Sequence, residues 1–121
     1  MAESLIECRF FIPLVRDGNR NVHAPRAWQR LNAVLYATFR ASTTRKTLWI
    51  SIDALSGEYH GKQGRVVDES REYILAIPRD RLDELRRILR RACITFDQQC
   101  LYFSVQGLVE FPEATDQEEA L

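Results

Sequence analysis

From residue 5 to residue 15 the chain alternates. Ile6, Cys8, Phe10, Ile12 and Leu14 share one side of an extended strand, with Glu7, Arg9 and Phe11 on the other. A period of two with one apolar side predicts a strand with one buried face. The stretch "RDGNRN" follows, rich in residues that tolerate tight turns. Helix one begins near Pro25, whose fixed φ suits a first helical turn. Trp28, Leu31, Leu35 and Phe39 then recur every three or four residues, widened by Ala24, Ala27 and Val34, as an amphipathic helix requires. After the polar loop "RASTTRK", the run "TLWISIDAL" predicts a second strand with Leu48, Ile50 and Ile52 inward and Trp49, Ser51 and Asp53 outward. A third strand spans about 66–77 and is stopped by Pro78. Asp80 is the expected N-cap of helix two, whose inward stripe is Leu82, Leu85, Leu89, Ala92 and Phe96, helped by Ile88 and Cys93. In the last run Leu101, Phe103 and Val105 alternate with Tyr102, Ser104 and Gln106. Gln106-Gly107 makes a two-residue hairpin turn into a short fifth strand at 108–111. The acidic segment 113–121 has no periodic face and reads as a solvated terminus.

The order β-α-β-β-α-β predicts an α+β fold, a ferredoxin-like sandwich over residues 1–112 with both helices on one face of an antiparallel sheet. The other face is left open. Alternation assigns Glu7, Arg9, Phe11, Trp49, Ser51, Asp53, Tyr102 and Ser104 to it. Large aromatics beside charges on an uncovered face mark an interface or a ligand groove. By fold-level analogy, the expectation is a homodimer through the open sheet face.

Composition narrows this picture without redirecting it. The 121 residues are 45% hydrophobic and 28% charged, as in an ordinary globular domain. Lys plus Arg equals Asp plus Glu at 17 each, so no overall charge drives binding to nucleic acid or anionic lipid. Three cysteines, Cys8, Cys93 and Cys100, form no close pair, which suits a reducing cytoplasm. The N-terminal run is interrupted by Glu3, Glu7 and Arg9, so it reads as neither signal peptide nor membrane span.

Two stretches carry candidate chemistry. Between strands two and three lie Glu58, His60, Lys62, Asp68 and Glu69. A His among carboxylates can bind metal or move protons, but the other His, His23, is distant in sequence and no ligand-type spacing exists. Glu58, His60 and Glu69 therefore remain weak candidates, and solvated hairpin residues are the plainer reading, with no metal or cofactor expected. Helix two carries Arg79, Arg81, Arg86, Arg87, Arg90 and Arg91. RNA-recognition motifs share this frame, but they read bases with strand aromatics, and strand three here opens "VVDESREYILAI". Asp83 and Glu84 supply local partners three residues from Arg86 and Arg87, so a salt-laced helix face is expected and nucleic acid is the weaker alternative. No Walker loop, G-x-G-x-x-G or G-x-S-x-G occurs.

From residue 47 to residue 77 the chain resembles a family of small bacterial domains of unknown function with a ferredoxin-like fold. The shared elements are "TLWISIDALSGEY", "GKQG" and "RVVDESREYILAIP", with Trp28 near the start of helix one. The resemblance implies the fold and carries over no catalytic residues. The reading is a cytoplasmic, non-enzymatic interaction or small-ligand-sensing domain whose site candidates are Arg9, Phe11, Trp49, Asp53 and Tyr102. The alternative is a cofactor-independent enzyme of the dimeric α+β barrel type, with Arg9, Trp49, Asp53, His60 and Tyr102 lining a cavity.

Overall fold

The computed structural model describes residues 5–17, 21–39, 48–51 and 69–121, with the backbone alone for 48–51 and 69. Strand β1 is Leu5–Pro13, helix α1 is Pro25–Phe39 and β2 is Leu48–Ser51. Strand β3 is Glu69–Pro78, helix α2 is Leu82–Thr95, β4 is Tyr102–Val105 and β5 is Leu108–Glu110. The sheet runs β2-β3-β1-β4-β5, and every pairing is antiparallel. This is the expected ferredoxin-like α+β sandwich with an added edge strand.

Register explains the core. Ile6, Cys8 and Phe10 lie opposite Ile77, Leu75 and Tyr73, while Cys8 and Phe10 also face Val105 and Phe103. Directly opposed residues share a face, so these side chains form one layer, buried against Leu31, Leu35 and Phe39 of α1 and Leu85, Leu89 and Ala92 of α2. Tyr73 stacks on Phe10 with centroids 4.9 Å apart and its hydroxyl donates to Asn32 Oδ1 at 2.8 Å. A buried Tyr needs such a partner, and α1 provides it.

Local chemistry sets the ends of the elements. Gln106 at φ 48° and Gly107 at φ 87° give the two positive φ values of a type I′ turn between β4 and β5. Helix α2 ends in a Schellman motif: Gln98 N–H donates to Cys93 O at 2.8 Å and Asp97 N–H to Ile94 O at 3.2 Å. That motif needs a left-handed residue, and here Asp97 adopts it at φ 51°.

Three expectations change. Asp80 does not cap α2; it lies in a 3-10 turn, Arg79–Arg81, and the N-cap position is Arg81, with no side-chain cap hydrogen bond. Pro78 is extended, so the chain tightens at once after the strand. The open first-turn N–H groups of α2 are instead favoured by Asp83 and Glu84 through the helix dipole. The C-terminal segment 113–121 lies along α2 rather than in solvent. Arg90 Nε bonds Glu118 Oε1 at 3.2 Å, Arg91 donates to the carbonyls of Glu119 and Ala120, and Leu121 N–H donates to Thr95 Oγ1 at 2.8 Å. Ala114 and Leu121 pack on the core. These contacts use backbone carbonyls and a Thr115–Glu118 turn, so no periodic face announces them.

The third change reverses β2. Trp49 pairs with Arg71 and Leu48 with Glu72, and Arg71 lies opposite Ile12 in the helix-side row. Trp49 therefore occupies a helix-side position, and Leu48 and Ile50 occupy open-face positions. Three consecutive apolar residues give no parity of their own, so pairing with β3 decides it.

Candidate functional site

The alternation of β1 that buries Ile6, Cys8 and Phe10 necessarily turns Glu7, Arg9 and Phe11 to the open face. Register then sets Tyr102 beside Phe11 and Ser104 beside Arg9. These residues, with Gln106 and Gly107 of the type I′ turn, line a shallow recess of about 390 Å³ that is open to solvent on one side. Gln106 N–H donates to Glu7 O at 3.0 Å, which fixes the turn against β1. Toward β2, Ser70 and Glu72 are buried, so the accessible part of the face lies over β1, β4 and β5.

Two kinds of group meet there. Arg9 Nε bonds Glu7 Oε1 at 3.0 Å, and its Nη1 lies 3.7 Å from Glu72 Oε2. Arg9 and Glu7 are still 47% and 56% exposed, whereas Glu72 is 6% exposed. Among the described residues, two carboxylates against one guanidinium leave the cluster one negative charge in excess. Beside it runs a row of rings, Phe11 to Tyr102 at 5.1 Å and Tyr102 to Phe111 at 5.8 Å. Phe111 is 60% exposed and Val109 is 47% exposed.

Of the residues singled out in the sequence, Arg9, Phe11 and Tyr102 come together on the open face. Trp49 does not join them, for the register reason given above. Glu69 opens β3 opposite Ser51. Asp53, Glu58 and His60 lie outside the described residues, as does most of the stretch that carries the family resemblance. Glu72 and Gln106 were not among the sequence candidates. Tyr73, Leu75 and Ile77 carry the signal for Glu72, because their inward parity turns Glu72 outward. The signal for Gln106 is the Gln-Gly turn itself.

A second recess, about 500 Å³, lies between the helices, lined by Val34, Thr38, Asp83, Glu84, Arg87, Ile88, Arg90 and Arg91. Much of its lining is long side chains already engaged: Glu84 with Arg81, Asp83 with Arg86, Arg90 with Glu118, and Arg91 with carbonyls near the C-terminus. The sheet recess has a floor fixed by backbone pairing, which makes it the better-formed of the two.

Burial governs the cysteines and His23. It pushes the Cys8 thiol up to about 11 and the Cys93 thiol up to about 12, so both are protonated at neutral pH and inert as nucleophiles. Cys93 Sγ–H donates to Pro112 O at 3.4 Å. His23 is buried between Trp28 and Phe96; burial lowers its pKa, against the raising effect of the Pro13 carbonyl. Among the described residues, no group of three or more His, Cys, Asp and Glu side chains is placed to hold a metal ion. Nor is any helix among them long and apolar enough to cross a membrane.

No family model matches the chain, and no curated protein matches it. A solved structure with the same architecture is a phage SAM lyase in complex with S-methyl-5′-thioadenosine, with a TM-score of 0.56 and 11% identity. The match covers 91% of this chain and 88% of that one. The similarity is one of fold.

Proposed function

We propose that the protein is a binding domain that takes a small, flat, neutral or cationic ligand in the open-face recess. The observation that carries this is the meeting of the Phe11–Tyr102 ring pair with a carboxylate-rich Arg9 cluster on a fixed sheet floor. Aromatic rings favour a flat ligand by offset or edge contacts, each pair contributing about 0.5–1.5 kcal/mol beyond burial. The excess negative charge disfavours an anion and favours a cation or a donor edge. Gln106 at the rim and Ser104 on the floor are suited to hydrogen-bond that edge. The phage enzyme of similar fold holds a nucleoside thioether of this general shape, which supports the class and leaves the compound open.

The test is a thermal-shift series with adenosine, S-methyl-5′-thioadenosine, small aromatic amines and, as anionic controls, nucleoside monophosphates. A ligand at about 100 times its Kd raises native stability by about 2.7 kcal/mol. We expect a shift with flat neutral or cationic compounds that is lost in Tyr102→Ala and, for the cationic compounds, reduced in Glu7→Gln. If no such compound shifts the transition at millimolar levels, or if Tyr102→Ala leaves the shift intact, the reading is wrong.

A further inference from the structure

We infer that two copies of this chain pack open face to open face, each closing the other's recess. The inference rests on the binding reading for the ligand, while the pairing itself stands on three features of the face. First, the recess is open: a small-molecule site buries about 70–90% of its ligand, and a ligand lying on a flat sheet keeps one whole side in water. Second, the two exposed charges of the cluster, Glu7 and Arg9, are self-complementary, the surplus carboxylate Glu72 being buried. A two-fold interface brings each patch against its own copy, so residue i meets j and j meets i. Glu7 and Arg9 stand two residues apart on one strand face, about half exposed, and an antiparallel two-fold crossing between them sets Arg9 of each copy against Glu7 of the other. Third, Val109 and Phe111 extend the Phe11–Tyr102 row as exposed apolar surface, which gives such a pair apolar contacts to desolvate on either side of the axis.

Area sets the expected strength. Nine residues of β1 span roughly 30 Å, but the four of β4 and the three of β5 span only roughly 14 and 10 Å, each strand being roughly 5 Å wide. The footprint is then on the order of 250 Å² per copy, about 500 Å² for the pair, below the size of stable specific interfaces. A weak, reversible dimer is expected, rather than an obligate one.

Sedimentation equilibrium from about 1 to about 300 µM, without ligand, tests the pairing. We expect a monomer–dimer equilibrium. Arg9→Glu sets carboxylates against carboxylates and should weaken it by about tenfold or more. The exchange Glu7→Arg with Arg9→Glu should restore it to within about threefold of the original. Far-UV circular dichroism and Tm establish that each variant is folded. A monomer at every concentration overturns the inference, as does a dimer indifferent both to Arg9→Glu and to Phe111→Lys. Adenosine as probe separates the two readings. If the second copy completes the site, adenosine tightens the dimer, and dimerisation tightens adenosine by the same factor. Adenosine that raises Tm but leaves the dimer constant unchanged sinks the shared site and spares the binding reading; a charge-dependent dimer with no response to flat ligands does the reverse.

Discussion

His23 makes stability depend on pH in a defined direction. The ring is 6% exposed, and its Nε2 lies 2.7 Å from the carbonyl of Pro13. That distance fits an Nε2–H donor, which leaves Nδ1 as the bare nitrogen of a neutral ring. Nδ1 is buried with no hydrogen-bond partner. Protonating it would create a buried cation with an unsatisfied N–H between two aromatic rings, so burial lowers the pKa in the native state. In the unfolded chain the ring titrates near pH 6.5. Below that pH the unfolded state binds a proton that the native state refuses, so stability falls as pH drops. The contribution is fully present above about pH 7.5 and is lost at up to about 1.4 kcal/mol per pH unit below 6.5, until the native ring also protonates.

Urea unfolding at pH 8, 7, 6 and 5 measures this, with His23→Gln as the comparison. Gln keeps a donor for the Pro13 carbonyl and cannot titrate. The difference in stability between native protein and variant should narrow, or change sign, as pH falls from 7 to 5. Parallel curves for the two proteins would refute the argument, because they would mean His23 binds its proton equally well folded and unfolded.

Other consequences are simpler to test by the same unfolding assay. Asp97→Gly should stabilise by about 0.5–1 kcal/mol, since glycine takes the left-handed C′ position without a Cβ penalty, and Asp97→Ala should cost about 1 kcal/mol. Tyr73→Phe should cost about 0.5–1 kcal/mol; the loss is at the low end because Asn32 is exposed and water can take over its oxygen. Deleting residues 113–121 should cost about 2–3 kcal/mol, mostly from the packing of Leu121 and Ala114 on the core, and no change would mean that the segment is solvated after all.

The helix-side layer was legible because Ile6, Glu7, Cys8, Arg9 and Phe10 alternate strictly in β1, which sets the parity of the apolar run that follows, and because apolar residues recur every three or four residues in both helices. Arg9, Phe11 and Tyr102 reached the open face for the same reason: the residues beside them are committed inward. Trp49 could not be placed this way. Leu48, Trp49 and Ile50 are all apolar, and the parity of such a run is fixed by hydrogen bonding to β3, a non-local fact. The C-terminal segment was illegible for a different reason. Apart from the Arg90–Glu118 pair, its polar attachments are to backbone groups and a turn, and its two core contacts, Ala114 and Leu121, are too few and far apart to form a periodic stripe.

The two faces of the molecule also treat charge differently, and this bears on where binding occurs. On the helix side most arginines of α2 and of the turn before it are matched within the chain: Arg81 by Glu84, Arg86 by Asp83 and Glu110, Arg90 by Glu118, and Arg91 by carbonyls near the C-terminus. Each exposed pair is worth little alone, but together they leave few cations for a polyanion to neutralise, and neutralised phosphates are the main source of nucleic-acid affinity. On the sheet side the Arg9 cluster has unequal signs and lies beside rings that the monomer leaves partly in water. Free energy remains to be gained there by covering the rings and by meeting the surplus carboxylate. The open face over β1, β4 and β5, and not the arginine-rich helix, is therefore where a partner or ligand gains most by binding.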